Sequence, residues 1–184
     1  MPRLPIPSDT EGFSEETRAA MRHIKKTRTT IPPPSSYLTY AGKAGELLSD
    51  LVEHLRFHTT LNPAETELAI CTAVRAANVD YIWDPHVKLG LKAGAREVAF
   101  HAIDTLGPLD GLTADEALII RFGRELLEKQ KVSDATFNAV RERYGEKGLL
   151  ELVAVMSVYT MNATILRAMD HQPPPGARRL TPRK

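Results

Sequence analysis

Residues 62–94 hold two helix-forming segments joined by a short break, and the residues at their ends leave this part of the chain little freedom. Asn62-Pro63-Ala64-Glu65 opens the first segment. Asparagine can cap, proline fits the first helical position, and a glutamate at the third can reach back to the cap. The segment runs to about Ala77. The second contains His86 and ends near Gly94, a residue suited to the left-handed position that follows a helix. Its start has two readings: Asp80 as the cap, or Asp84 and Pro85 as cap and first helical residue.

Helical signals fill most of the remaining chain. Residues 1–13 carry three prolines and read as an extended lead-in. Ser14 is placed to cap a helix to about Thr29, which Ile31-Pro-Pro-Pro then stops. Ala44, Leu47, Leu48, Leu51, Val52 and Leu55 form the apolar stripe of an amphipathic helix. Residues 95–106 read as a short helix. Thr113-Ala-Asp-Glu116 is a capping box for a helix to about Gln130, and Ser133 caps another that stops near Gly145. A last helix, from about Lys147 to Met169, is apolar nearly all round, which places it in the core or in a subunit interface. The tail, residues 172–184, is expected to be disordered. No strand-like alternation and no convincing repeat appear. The expectation is an all-α chain forming one domain over residues 1–184, with its helical core at about 37–170.

A chain of 184 residues can bury a real core without disulfides or metals. The formal charge of +1 provides no basic field for nucleic acid. The basic residues are local, at Arg22 to Arg28 and at Arg178, Arg179, Arg183 and Lys184, and read as a solvated face and a tail. One cysteine cannot form an intramolecular disulfide, which suits a reducing compartment. The N-terminus lacks a signal-peptide core, and no run is read as a membrane span. The expected location is cytoplasmic, with a small-molecule substrate and neither nucleic acid nor membrane as partner.

Glu67 shares a helical face with Ile70, Cys71 and Val74. A carboxylate there can hold or relay a proton. His86, nineteen positions on, is the natural partner because imidazole titrates near neutrality. Leu89 and Gly90 leave room beside its ring, and Tyr81 and Trp83 can wall a pocket or simply fill core. Cys71 reads more readily as a small buried hydrophobe than as a reactive thiol. Arg75 can meet a substrate carboxylate or lie on the surface. His101 reads as structural. His54 and His58 share a helical face as two metal ligands could, but Leu55 stands where a zinc protease has its glutamate and no third ligand is evident. Neither a metal nor a cofactor is expected. A glycine-rich phosphate loop and a Gly-x-Ser-x-Gly elbow are both missing.

The stretch Glu67-Leu-Ala-Ile…Tyr81-Ile-Trp83-Asp-Pro-His86-Val-Lys-Leu-Gly-Leu-Lys-Ala-Gly94 resembles the carboxymuconolactone decarboxylase family, which includes the alkylhydroperoxidase D proteins. Val132-Ser-Asp-Ala-Thr-Phe, Leu149-Leu-Glu-Leu-Val and Tyr159-Thr-Met-Asn162-Ala look like the family's C-terminal helices. The resemblance implies an alkylhydroperoxidase D-like helical bundle that assembles as a homo-oligomer, trimer or hexamer. It places Glu67 and His86 on the family's glutamate and histidine. The two cysteines of the peroxidase branch fall on Val79 and Ile82, so the dithiol mechanism is missing. The decarboxylase-like branch often has glutamate where Ile82 stands.

What the resemblance implies is a carboxymuconolactone decarboxylase-like carboxy-lyase. Glu67 and His86 would be its acid/base pair, acting on a small carboxylated lactone or enol. Tyr81, Ile82, Trp83 and Cys71 are the residues expected against the substrate. The alternatives are an alkylhydroperoxidase-like antioxidant and a non-catalytic oligomer that binds a ligand in a pocket made apolar by Val79 and Ile82.

Overall fold

A computed structural model describes residues 2–8 and 10–183. The chain is helical throughout, with no strand among the described residues. Its helices are α1 (Glu15–Lys25), α2 (Pro33–Leu38), a short 3-10 turn (Thr39–Ala41), α3 (Lys43–Phe57), α4 (Pro63–Ala77), α5 (Asp80–Lys92), α6 (Glu97–Thr105), α7 (Ala114–Leu127) and α8 (Asp134–Ala168).

Helix α4 is the centre. Its start is the reciprocal cap expected from the sequence: the Asn62 side chain accepts from the Glu65 N–H at 2.9 Å, and the Glu65 carboxylate accepts from the Asn62 N–H at 2.8 Å. Every residue from Glu65 to Arg75 is buried, because α5, α7 and α8 enclose the helix. Asn78 ends it in the left-handed conformation, φ 54°, and α5 starts two residues later at Asp80. Of the two possible starts for α5 the earlier one holds, so Pro85 lies inside the helix. Gly94, φ 98°, closes α5: its N–H donates to the Leu91 carbonyl and that of Ala95 to the Gly90 carbonyl. This is the paired hydrogen bonding of a left-handed helix stop.

Gly90 allows α5 to lie tight on α4. A Cβ there would run into Phe100 Cζ and come within 3.1 Å of Glu67 Cβ. Trp83, Phe100, Ile119, Ile120, Phe122, Leu152, Met156 and Leu166 are fully buried in the same core. Helix α8 bends at Gly145, φ 69° and ψ 176°, where the sequence places the end of one helix and the start of the next.

Four expectations are corrected. The proline run at 32–34, expected to stop the first helix near Thr29, does not do so: α1 already ends at Lys25, and the run instead opens α2, with prolines in the first turn, where a missing N–H has no helical acceptor to lose. Helix α8 meets the length and composition of a membrane span, with a mean hydropathy of 1.6 over 18 residues, although no run was read as one. Leu152, Val155, Met156, Tyr159, Ala163 and Leu166 face the interior, so a core helix passes the same test. The tail, expected to be disordered, is docked as far as residue 183; Lys184 lies outside the described residues. Leu180 is buried, its N–H donates to Asp80, and Asp104 accepts from both the Thr181 N–H and hydroxyl. Arg75, read as a substrate contact or a surface residue, is buried and donates to the Thr181 carbonyl at 2.8 Å. Its guanidinium is a tie for the tail.

Candidate active site

The α4–α5 contact brings Glu67 and His86 together. Glu67 Oε2 lies 2.6 Å from His86 Nδ1, and the two residues are 7% and 9% exposed. A carboxylate only accepts, so Nδ1 carries the proton and Nε2 is the nitrogen left for a ligand. Arg56 of α3 donates from Nη2 to the other oxygen, Oε1, at 3.4 Å, while its Nε is buried without a partner. Tyr159 of α8 stands edge-on to the imidazole, with centroids 5.0 Å apart and planes at 81°. Its phenol is pushed up, chiefly by burial, so at neutral pH it is a neutral hydroxyl.

His86 forms part of the wall of a cavity of about 330 Å³. Tyr81, Ile82 and Pro85 line it from α5, and Asn162 and Tyr159 from α8. The α1–α2 connection covers it with Arg28 and residues 30–32, and the first turn of α2 with residues 33–35. The lining is largely apolar with two guanidinium groups, Arg28 and Arg56. Arg28 is engaged by the Glu53 carboxylate at 3.0 Å and the Ser49 carbonyl at 2.8 Å; Arg56 keeps more of its donors free. Glu67 faces a second cavity, of about 610 Å³, shared with Arg56, Leu89 and Lys92. The pair therefore stands between two concave spaces.

The residues expected against a substrate divide. Tyr81 and Ile82 line the cavity, and Tyr81 is also held edge-on by His171, centroids 4.8 Å apart. Trp83 and Cys71 do not reach it, which corrects the sequence reading. Trp83 sits on the core side of α5, fully buried against Phe100, with its indole N–H unpaired. Cys71 is fully buried, and burial first, then the Glu67 charge, raises its thiol well above the ordinary value. Val79 packs on the core just before α5 rather than lining the cavity. His54 and His58 have ring centroids 5.7 Å apart, and no group of three or more His, Cys, Asp or Glu side chains gathers among the described residues.

Arg28, Arg56, Tyr159 and Asn162 were missed as site residues. They come from α3, α8 and a connection, far from the Glu67–His86 stretch. Only the i, i+3 spacing of Tyr159 and Asn162 could have hinted that they share a face.

No protein-family model matches the chain, and no curated protein matches it significantly. Solved structures do. A peroxidase-related protein from Silicibacter sp. TM1040 superposes with a TM-score of 0.72 at 12% identity, covering 96% of this chain and 93% of that one. The debrominase Bmp8, a Cys-to-Ala variant in complex with 2,3,4-tribromopyrrole, superposes with a TM-score of 0.69 at 11% identity, covering 94% and 93%. With its buried central helix, closely packed α4–α5 pair and kinked last helix, this chain has the alkylhydroperoxidase and carboxymuconolactone decarboxylase-like fold.

Proposed function

We propose that this protein is an acid/base enzyme of the decarboxylase-like kind, acting on a small carboxylated compound held in the cavity beside His86. The observation that carries the reading is the 2.6 Å Glu67–His86 hydrogen bond at the wall of a largely apolar cavity that also holds Arg56. Arg56 and Arg28 attract the anionic substrate. When the substrate's C–CO2 bond breaks, its electron pair stays on carbon, conjugated with a neighbouring carbonyl. The protonated His86 then gives its Nε2 proton to that carbon, forming a C–H bond and leaving a neutral imidazole. Glu67 holds Nδ1–H throughout and stabilises the imidazolium before transfer; solvent restores the proton. Positioned proton transfer of this sort contributes about 10²–10⁴ in rate.

The apolar lining suits a small unsaturated ring, and the halogenated pyrrole bound to the debrominase supports a ligand of that size on this scaffold. A thiol peroxidase reading is not favoured, because the chain's one thiol is fully buried, away from the cavity, and disfavoured as a thiolate. We also propose a homo-oligomer: Leu47 and Leu51 lie exposed one turn apart on α3, and Leu150 is exposed on α8.

The test is a turnover screen with purified protein over carboxylated lactones, β-keto acids and enol acids, following CO2 release and absorbance. Turnover that disappears in His86→Ala supports the reading; equal turnover in that variant overturns it.

A further inference from the structure

Asn162 lines the cavity one turn along α8 from Tyr159 and is only 5% exposed. Its Oδ1 is buried without a partner, and its amide makes no hydrogen bond among the described residues. The Tyr159 hydroxyl on the same helical face has no partner there either, and burial keeps it protonated as a donor. Buried side-chain polar groups are nearly always paired, and an amide left unpaired costs stability. A group kept at such a cost on a cavity wall fits a role that is fulfilled only when something occupies the cavity. Arg56 supplies positive charge in the same cavity, with its Nε also unpaired.

Resting on the acid/base reading of this site, we propose that Asn162 is a specificity-determining residue. Its amide, together with the Tyr159 hydroxyl, receives a neutral hydroxyl or carbonyl group of the substrate while Arg56 meets the carboxylate. The substrate class is therefore a small-ring acid that carries a second, uncharged oxygen substituent, and an unsubstituted apolar acid is discriminated against. A site built to pair such a group rejects the analogue that lacks it, because the Asn162 Oδ1 then stays buried and unpaired.

Calorimetric binding of benzoate, the three hydroxybenzoate isomers and 3-hydroxybenzyl alcohol tests this without any turnover. In the wild type, at least one hydroxybenzoate is expected to bind roughly tenfold more tightly than benzoate. That preference should vanish in Asn162→Leu and persist in His86→Ala, and the alcohol, lacking a carboxylate, should bind more weakly than the acid. Because the amide is unpaired in the free protein, Asn162→Leu should keep or raise Tm; Asn162→Ala repeats the comparison if leucine crowds the cavity. Equal or undetectable binding of all the acids by the wild type overturns the proposal. So does a preference that survives both Asn162 variants, or a marked fall in Tm for both. An Asn162-dependent preference in a protein that turns nothing over leaves this inference standing and removes the acid/base reading.

Discussion

Gly90 of α5 lies close against Glu67 of α4: a Cβ at Gly90 would stand 3.1 Å from Glu67 Cβ, tighter than an ordinary contact, and would collide with Phe100 Cζ. The hydrogen bond between Glu67 and His86 depends on this approach, since the two helices must touch for the side chains to meet. Gly90→Ala is expected to cost about 1–3 kcal/mol through overpacking. That lowers Tm by about 2–4 °C per kcal/mol for a chain of this size. Turnover should fall with it as the pair is pushed apart. Thermal unfolding and kinetics of the variant check both; unchanged values would show that α5 is not seated by Gly90.

The thiol of Cys71 should be inert in the folded protein. It is fully buried, and burial together with the nearby Glu67 charge holds it in the protonated form. Iodoacetamide at pH 7.5 is expected to leave the native protein unmodified and to label it in guanidinium. Cys71→Ala should preserve turnover, with a stability loss of about 1 kcal/mol from the small cavity. Thiol-dependent hydroperoxide consumption lost on Cys71→Ser would contradict this.

Tail docking should be measurable as stability. Removing residues 177–184 exposes the contacts of Leu180 and deprives the buried Arg75 guanidinium of the Thr181 carbonyl. The expected loss is roughly 2–4 kcal/mol, combining one buried leucine with one hydrogen bond to a buried charge. Chemical denaturation of the truncated and full chains gives the difference. No change would mean that the tail does not hold the ends of α4 and α6.

Glu125 gives a pH dependence with a definite sign. The Ser133 N–H, donating at 2.9 Å, and then the Ser133 hydroxyl at 3.0 Å hold its carboxyl below the ordinary value against the opposing effect of burial. The folded state thus releases its proton more readily than the unfolded chain. This contribution is complete above the ordinary carboxylate pKa of about 4.3 and is lost as pH falls through the folded value. The Tm advantage of wild type over Glu125→Gln should be constant between pH 6 and 7.5 and shrink from pH 5 to pH 3. A gap that widens on acidification would contradict the assignment.

The start of α4, the Gly94 stop and the Glu67–His86 pair were legible because each is written in residues close in sequence: a capping box, a left-handed glycine and a fixed spacing across one helix break. The all-helical class followed from the same local signals. The proline run opening α2 reads equally well as a helix stop, because proline breaks a helix interior yet fits a first turn; α1 ends earlier, at Lys25. Trp83 and Cys71 were misassigned because spacing does not say which side of α5 or α4 faces the cavity. Arg28, Arg56, Tyr159 and Asn162 reach the site by tertiary packing alone. Arg75 looked like an exposed cation until the tail covered it.

The most direct measurement is kcat/KM for wild type, His86→Ala, Glu67→Gln and the double variant, on a compound turned over in the screen. Two groups joined by a 2.6 Å hydrogen bond and acting as one unit lose activity non-additively. His86→Ala is expected to lose about 10²–10⁴ and Glu67→Gln less, with the double variant no worse than His86→Ala alone. Undiminished turnover in His86→Ala, or losses that multiply in the double variant, would contradict an acid/base pair at this site.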